Sequence, residues 1–251
     1  MKKIGDLLQS LSDSGRKGVA WLIDPDKDFD QVEFDWVAES DLDLILIGGS
    51  QTSGEDFGFR ISQLKSISGE IPICIFPGSV DQISEKADAI FFLSLISGTN
   101  PDYLISKHIL SAPKVRAMNL EVLPTGYILV NSGEILSVHR ESATLPLIQT
   151  DVESVVNTAL AGKFLGMKYI FLDAGSGARE PISPFLIHSV KKEIKLPLIV
   201  GGGIRNLESL RNAYEAGADL VVIGNAIEKD PDFLAEVLQC KSLLNLSLNV
   251  N

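Results

Sequence analysis

The chain has 251 residues, 45% apolar and 22% charged, which is enough apolar material for a large buried core and excludes a disordered segment. Its formal charge of −11 is spread along the sequence, which disfavours a nucleic-acid groove or an anionic membrane surface and means that an anionic substrate needs local help from a metal or backbone dipoles. Cys74 and Cys240 are the only cysteines and lack zinc spacing, so free thiols in a reducing compartment are expected.

In chain order, the opening MKKIGDLLQSLSDSG has no sustained apolar run or small-residue cleavage site and predicts a short amphipathic helix packed on the body. No segment reaches the ~18 apolar residues needed to span a bilayer, and a cytoplasmic protein is expected. Apolar, β-branched runs then recur at Val19 to Ile23, Leu44 to Ile47, Ile71 to Phe76, Ala89 to Leu93, Val122 to Val130, Tyr169 to Leu172, Leu198 to Val200 and Leu220 to Ile223. Their near-continuous hydrophobicity suits strands buried on both faces of a parallel sheet. Between them lie helical stretches at Asp30 to Glu39, Gly58 to Ser68, Pro101 to Ser111, Asp151 to Leu165, Pro184 to Ile194, Leu207 to Ala216 and Pro231 to Leu238. Asp151 and Asn206 read as helix N-caps, and Gly166 and Gly217 stand where helices should stop. Ser79 to Ala87 has room for only a short helix, and Asn131 to Thr150 reads as a long polar insertion. No linker divides residues 1–251, so the pattern predicts one α/β domain, a (β/α)8 TIM barrel modified around its third helix.

Chemistry in such barrels sits at the C-terminal strand ends, and there the polar residues cluster. The first strand runs into Asp24-Pro25-Asp26-Lys27, the second into Gly48-Gly49-Ser50, the sixth into Asp173-Ala174-Gly175-Ser176-Gly177. The seventh opens into Gly201-Gly202-Gly203, and the eighth into Gly224-Asn225. Paired glycine turns after the last two strands read as a phosphate cup, because glycine lets backbone N–H groups approach an anion. Ser176, Gly177, Gly202, Gly203, Gly224 and Asn225 would line it, and Asp173 stands beside it as a candidate general base. Pro25 fixes the turn after Asp24, leaving Asp24 as a site carboxylate and Asp26 as a turn or cap residue. Asp24, the Ser50 hydroxyl and substrate phosphate oxygens together make the hard-oxygen environment of Mg2+. None of His108, His139 and His188 falls at a strand end, and all three read as helix or loop surface. Cys74 lies in an apolar run and reads as a buried thiol.

Taken together, AWLIDPDK, LILIGGS, YIFLDAGSGA, LIVGGGIR and VVIGNAI resemble the geranylgeranylglyceryl phosphate synthase family, prenyltransferases that include the bacterial heptaprenylglyceryl phosphate synthases. The resemblance runs from Val19 to about Asp232. It implies a modified TIM barrel that joins the C3 hydroxyl of sn-glycerol 1-phosphate to a polyprenyl diphosphate, geranylgeranyl diphosphate being the expected donor, with Mg2+ and release of diphosphate. By position it assigns Asp24 and Ser50 to the metal. Phe171, Leu172, Asp173, Ala174, Gly175, Ser176, Gly177, Gly202, Gly203, Gly224 and Asn225 fall to the glycerol-phosphate site. A homo-oligomer is implied as well. Many relatives read Tyr-Leu-Glu where this chain has Phe171-Leu172-Asp173, and Leu22 replaces a lysine of some bacterial relatives, which is the pattern of the second, partly archaeal branch. An apolar trough for the isoprenoid would draw on Phe76, Phe92 and Tyr103. Two other readings fit the cup alone: a barrel enzyme that isomerises or cyclises sugar phosphates, and a non-catalytic binder of phosphate ligands.

Overall fold

Nine strands appear in the computed structural model, which describes residues 3–27, 33–49 and 54–248. They are β1 (Gly18–Ile23), β2 (Leu44–Ile47), β3 (Ile73–Ile75), β4 (Ala89–Leu95), β5 (Glu121–Asn131), β6 (Leu147–Ile148), β7 (Tyr169–Asp173), β8 (Leu198–Gly201) and β9 (Leu220–Ile223). Eight of them pair in parallel in the order β1, β2, β3, β4, β5, β7, β8, β9, and β9 returns to β1, so the sheet closes into a TIM barrel. Strand β6 pairs only with the end of β5, outside the ring. Register brings Leu129, Asp173 and Gly201 level at the C-terminal rim, which is what gathers the polar strand ends into one mouth.

Strand alternation divides the core into two layers. Inward residues such as Leu46, Cys74, Phe91, Leu129, Phe171 and Val222 fill the barrel, and Ile4, Leu8 and Leu11 of helix α1 (Ile4–Ser14) join them from the N-terminal end. The Glu121 carboxylate accepts the N–H groups of Ile4 and Gly5, at 2.7 and 3.0 Å, and so satisfies the first turn of α1. Outward residues such as Trp21, Ile47, Ile90, Leu172 and Val200 pack under the helices. The helices are α2 (Gly54–Ser68), α3 (Lys107–Ala117), α4 (Ser137–Ser142), α5 (Val152–Phe164), α6 (Pro184–Ile194), α7 (Leu207–Glu215), α8 (Asn225–Lys229) and α9 (Asp232–Leu248). The N-terminal rim is pinned by one device used three times. Asp43, Asp88 and Asp219 accept an N–H at the start of a neighbouring strand, from Val19, Ile73 and Leu198, while Lys241, Lys65 and Lys191 reach in from outer helices to the same carboxylates.

Asp151 and Asn206 cap α5 and α7 through their side chains, and Gly166 and Gly217 follow those helices at φ +92° and +112°. Several local expectations are corrected. Strand β3 starts at Ile73 rather than Ile71, because Pro72 has no N–H to pair and the Ile71 N–H turns back to Ser68. No helix forms over Ser79 to Ala87: the Ser79 and Ser84 hydroxyls accept the N–H groups of Asp81 and Lys86, offering the backbone an alternative to helix. The segment from Pro101 begins as a π-turn over Asp102–Ser106, and α3 then continues past Ser111 to Ala117. The polar insertion carries α4 and β6. Of the helix expected from Asp30, residues 30–32 lie outside the described residues and the rest is a 3-10 turn over Asp35–Glu39.

Candidate active site

A cavity of about 610 Å³ opens at the C-terminal rim, polar at the glycine turns and apolar where it passes β3 and β4. At its polar end Gly177, Gly202 and Gly203 hold φ of +83°, +81° and +74°, a region where a side chain is strained. Gly203 is also a close approach: a Cβ there would sit 2.6 Å from the Glu180 carbonyl oxygen. Gly224 differs, with φ −123° and its nearest neighbour the Leu22 carbonyl oxygen, 3.2 Å from an added Cβ. The Asn225 amide donates to Ser176 Oγ at 3.2 Å, joining the loops after β7 and β9. Arg205 adds the positive charge that the sequence reading left out, its guanidinium donating to the carbonyls of Gly177 and Ala178.

Asp173 ends β7 and is 9% exposed. One carboxylate oxygen accepts the Tyr127 hydroxyl at 2.5 Å and the other accepts the Gly175 N–H at 2.7 Å. Burial raises its pKa above the usual carboxylate range, and the two hydrogen bonds oppose that rise. Burial, and next the Asp173 charge, push the Tyr127 phenol well above its ordinary value, so this hydroxyl remains a donor. Tyr127 escapes a search of strand ends because it lies inside the long β5, level with Phe171. The sequence signal that could have found it is a polar-tipped aromatic among the aliphatic inward residues Leu123 and Leu129. Phe76, Tyr127 and Phe171 pack as an aromatic trio, centroids 5.5–5.7 Å apart, forming the floor of the cavity.

Not every residue assigned to the glycerol-phosphate site faces the cavity. Leu172 points outward under the helices by strand alternation. The Ala174 N–H is bound to the Gly201 carbonyl and the Gly175 N–H to Asp173, so neither is directed at an anion. These three support the site from behind, while Asp24, Phe171, Asp173, Ser176, Gly177, Gly202, Gly203, Gly224 and Asn225 line the cavity.

Asp24 leaves β1 with one oxygen accepting the Asp26 N–H at 3.1 Å, which fixes the turn as expected of Asp26. Its other oxygen is 4.0 Å from Lys27 Nζ, and Lys27 pairs with Glu228 at 2.6 Å across the mouth. Ser50 lies outside the described residues. Among the described residues no group of three or more His, Cys, Asp or Glu is arranged to hold a metal.

Past Phe76 the cavity turns apolar, with Ile83, Phe92 and Tyr103 on its walls. No helix forms between β3 and β4, and the wing there is lined by Val80 and Ile83 of that loop and by Lys107, His108 and Ser111 of α3. The Tyr103 hydroxyl donates to the Glu141 carbonyl at 3.1 Å, and Lys107 Nζ lies 3.7 Å above its ring. His108 and His139 are buried rather than on the surface, and burial lowers both pKa values; His188 is exposed. His108 packs edge-on against Phe92, at 4.5 Å between centroids, and approaches Ser94 Oγ at 3.3 Å. Cys74 is fully buried inside the barrel, where burial pushes its thiol pKa well up and makes it inert.

The profile of the PcrB family matches residues 15–241. The geranylgeranylglyceryl phosphate synthase of Zunongwangia profunda is 45% identical over 231 residues, covering 91% of this chain and 98% of the relative. That of Sulfolobus acidocaldarius is 38% identical, covering 91% and 90%. Among solved structures, (S)-3-O-geranylgeranylglyceryl phosphate synthase from Thermoplasma acidophilum, in complex with its substrate sn-glycerol-1-phosphate, superposes with a TM-score of 0.86 at 29% identity and 99% coverage of both chains.

Proposed function

The chain belongs to the PcrB family, and from that membership and the geometry of the mouth we propose that it is a prenyltransferase that forms an ether between sn-glycerol 1-phosphate and geranylgeranyl diphosphate. The observation that carries this reading is one continuous cavity in which a buried carboxylate separates a glycine-lined anion cup from an apolar wing. A sugar-phosphate isomerase needs the cup but not the wing, and a mere phosphate binder needs no buried carboxylate beside it.

In this reading the phosphate rests on the turns at Gly177, Gly202, Gly203 and Gly224, with Arg205 behind them. The glycerol then extends toward Asp173. The C3 hydroxyl oxygen attacks C1 of the allylic group, and the bond to diphosphate breaks with its electron pair leaving on the diphosphate. The hydroxyl proton passes to Asp173, whose raised pKa suits it to that acceptance, and Tyr127 keeps the carboxylate aimed. Phe76 and Phe171 exclude water from the allylic carbon, and Phe92 and Tyr103 flank the tail.

Asp24 supports a role for Mg2+: it is a partly exposed carboxylate at the mouth, and Mg2+ takes one or two carboxylates together with water and substrate phosphates. When bound, the ion supplies charge neutralisation to the departing diphosphate. Ser50 is the second residue assigned to it by sequence. Association of copies is part of the same proposal, supported by the exposed apolar side chains Ile105, Ile109 and Leu110 on and beside α3. Among the described residues no helix is long and apolar enough to cross a membrane, and a cytoplasmic site of action is proposed with that in view.

A diphosphate-release assay tests the reading. Release should require both sn-glycerol 1-phosphate and geranylgeranyl diphosphate. Release from the prenyl donor alone, at the same rate, would refute the transfer.

A further inference from the structure

The loop after β7 supplies Ser176 and Gly177 to the cup and follows directly on Asp173, and within it the Ala178 N–H closes one turn on the Gly175 carbonyl at 3.1 Å. Both its ends are held from outside by one short turn after β5. Asn131 is 3% exposed and ends β5. Its carbonyl oxygen Oδ1 accepts the N–H groups of Gly133 and Glu134, at 2.8 and 2.9 Å, which closes the turn. Its amide Nδ2 donates to the Glu134 carbonyl at 3.0 Å and, across the mouth, to the Ala174 carbonyl at 3.3 Å. All four hydrogen-bonding capacities of this buried amide, two acceptor and two donor, are thereby engaged in the turn or in the loop. At the other end of the loop, the Glu134 carboxylate accepts the Arg179 N–H at 3.1 Å. The accompanying ion pair to the Arg179 side chain is 88% exposed on the arginine and contributes little, so the backbone contact carries the link. Ser132 adds a third contact, its hydroxyl donating to the Glu180 carboxylate at 2.9 Å.

We propose that Asn131 and Glu134 are positioning residues for the glycerol-phosphate cup, clipping the loop from Ala174 to Arg179 at its two ends so that Gly177 and Asp173 face the same substrate. Neither residue lines the cavity. They act through the loop: the Ala174 end fixes the turn that carries Asp173 and the Gly175 N–H bound to it, and the Arg179 end fixes the stretch that follows Gly177.

The inference rests on the glycerol-phosphate reading of the cup, so the experiment separates the two. Calorimetry measures the affinity of wild type, Asn131→Ala, Glu134→Ala and Glu134→Gln for sn-glycerol 1-phosphate and for inorganic phosphate, and steady-state kinetics give KM for the prenyl donor. Loss of either clip should weaken binding of both phosphate ligands by at least about tenfold while the donor KM stays within about twofold. Glu134→Gln keeps an acceptor for the Arg179 N–H and should restore affinity. Wild-type binding of inorganic phosphate without glycerol phosphate would refute the glycerol reading, and the clip would then be judged on phosphate alone. Unchanged phosphate affinity in folded Asn131→Ala and Glu134→Ala would overturn the proposal, as would equal losses for both substrates or no rescue by glutamine.

Discussion

Replacing Tyr127 by phenylalanine removes one hydroxyl and leaves the aromatic trio of the cavity floor in place. The lost hydrogen bond ends on a buried carboxylate, and bonds to charged groups are worth about 1.5–3 kcal/mol. Among the described residues, Asp173 then keeps only the Gly175 N–H as a hydrogen-bond partner. Its pKa is raised by burial and held back by Tyr127, so removing Tyr127 raises it further. Asp173 accepts a proton only when ionised, and activity is therefore lost as pH falls through that raised pKa. In Tyr127→Phe the acid limb of kcat/KM moves to higher pH. At a fixed pH on that limb the active fraction falls by roughly 10- to 150-fold, the same free energy expressed as a ratio. Stability runs in the opposite direction: a carboxyl with a raised folded pKa favours the folded state at pH below its unfolded value, and that contribution disappears as pH rises through the folded pKa. The assay is diphosphate release across pH for both proteins. An acid limb that does not move, with the phenylalanine variant folded, would refute the view that Asp173 is the base and Tyr127 its partner.

Three further outcomes are expected. Gly203→Val should weaken glycerol-phosphate binding by at least about tenfold, because φ of +74° costs a β-branched residue about 1–3 kcal/mol even before the contact with Glu180. Gly224→Val, at φ −123°, should lose less, and calorimetry that ranks the two the other way would move the cup. Asp24→Asn should lower turnover by at least about 100-fold while glycerol-phosphate affinity stays intact, if Mg2+ serves the prenyl donor as proposed; loss of both in titration would point to a shared site. Tyr103→Ala removes the ring that bridges to Glu141 and should shift products toward longer chains, each added isoprene burying apolar surface worth roughly 25 cal/mol per Å². Mass spectrometry of products from mixed donors reads the shift, and an unchanged distribution would remove Tyr103 as the ruler.

The barrel was legible because its strands are buried on both faces, so runs such as Leu44 to Ile47 and Leu220 to Ile223 stand out without any alternation to decode. The glycine turns at the mouth were legible because positive φ demands glycine, at Gly202 and Gly203 above all. What stayed hidden depends on contacts between distant segments. Tyr127 becomes part of the site only when β5 and β7 align it with Phe171 and bring Asp173 within reach. Asn131 looks like the start of a polar insertion until its amide is seen to reach Ala174. Leu172, Ala174 and Gly175 belong to the motif yet do not line the cavity, because a motif records the whole turn and not which of its residues reach the mouth. His108 reads as surface because it does not follow a strand, yet α3, entered through the π-turn over Asp102–Ser106, packs it against Phe92.

The most direct test is the identity of the product. Incubated with sn-glycerol 1-phosphate, geranylgeranyl diphosphate and Mg2+, the protein should yield a glycerol phosphate bearing one geranylgeranyl group, with NMR showing an ether between glycerol C3 and prenyl C1. Recovery of geranylgeraniol and unaltered glycerol phosphate would contradict the account, since it would mean that water rather than the cupped glycerol reaches the allylic carbon.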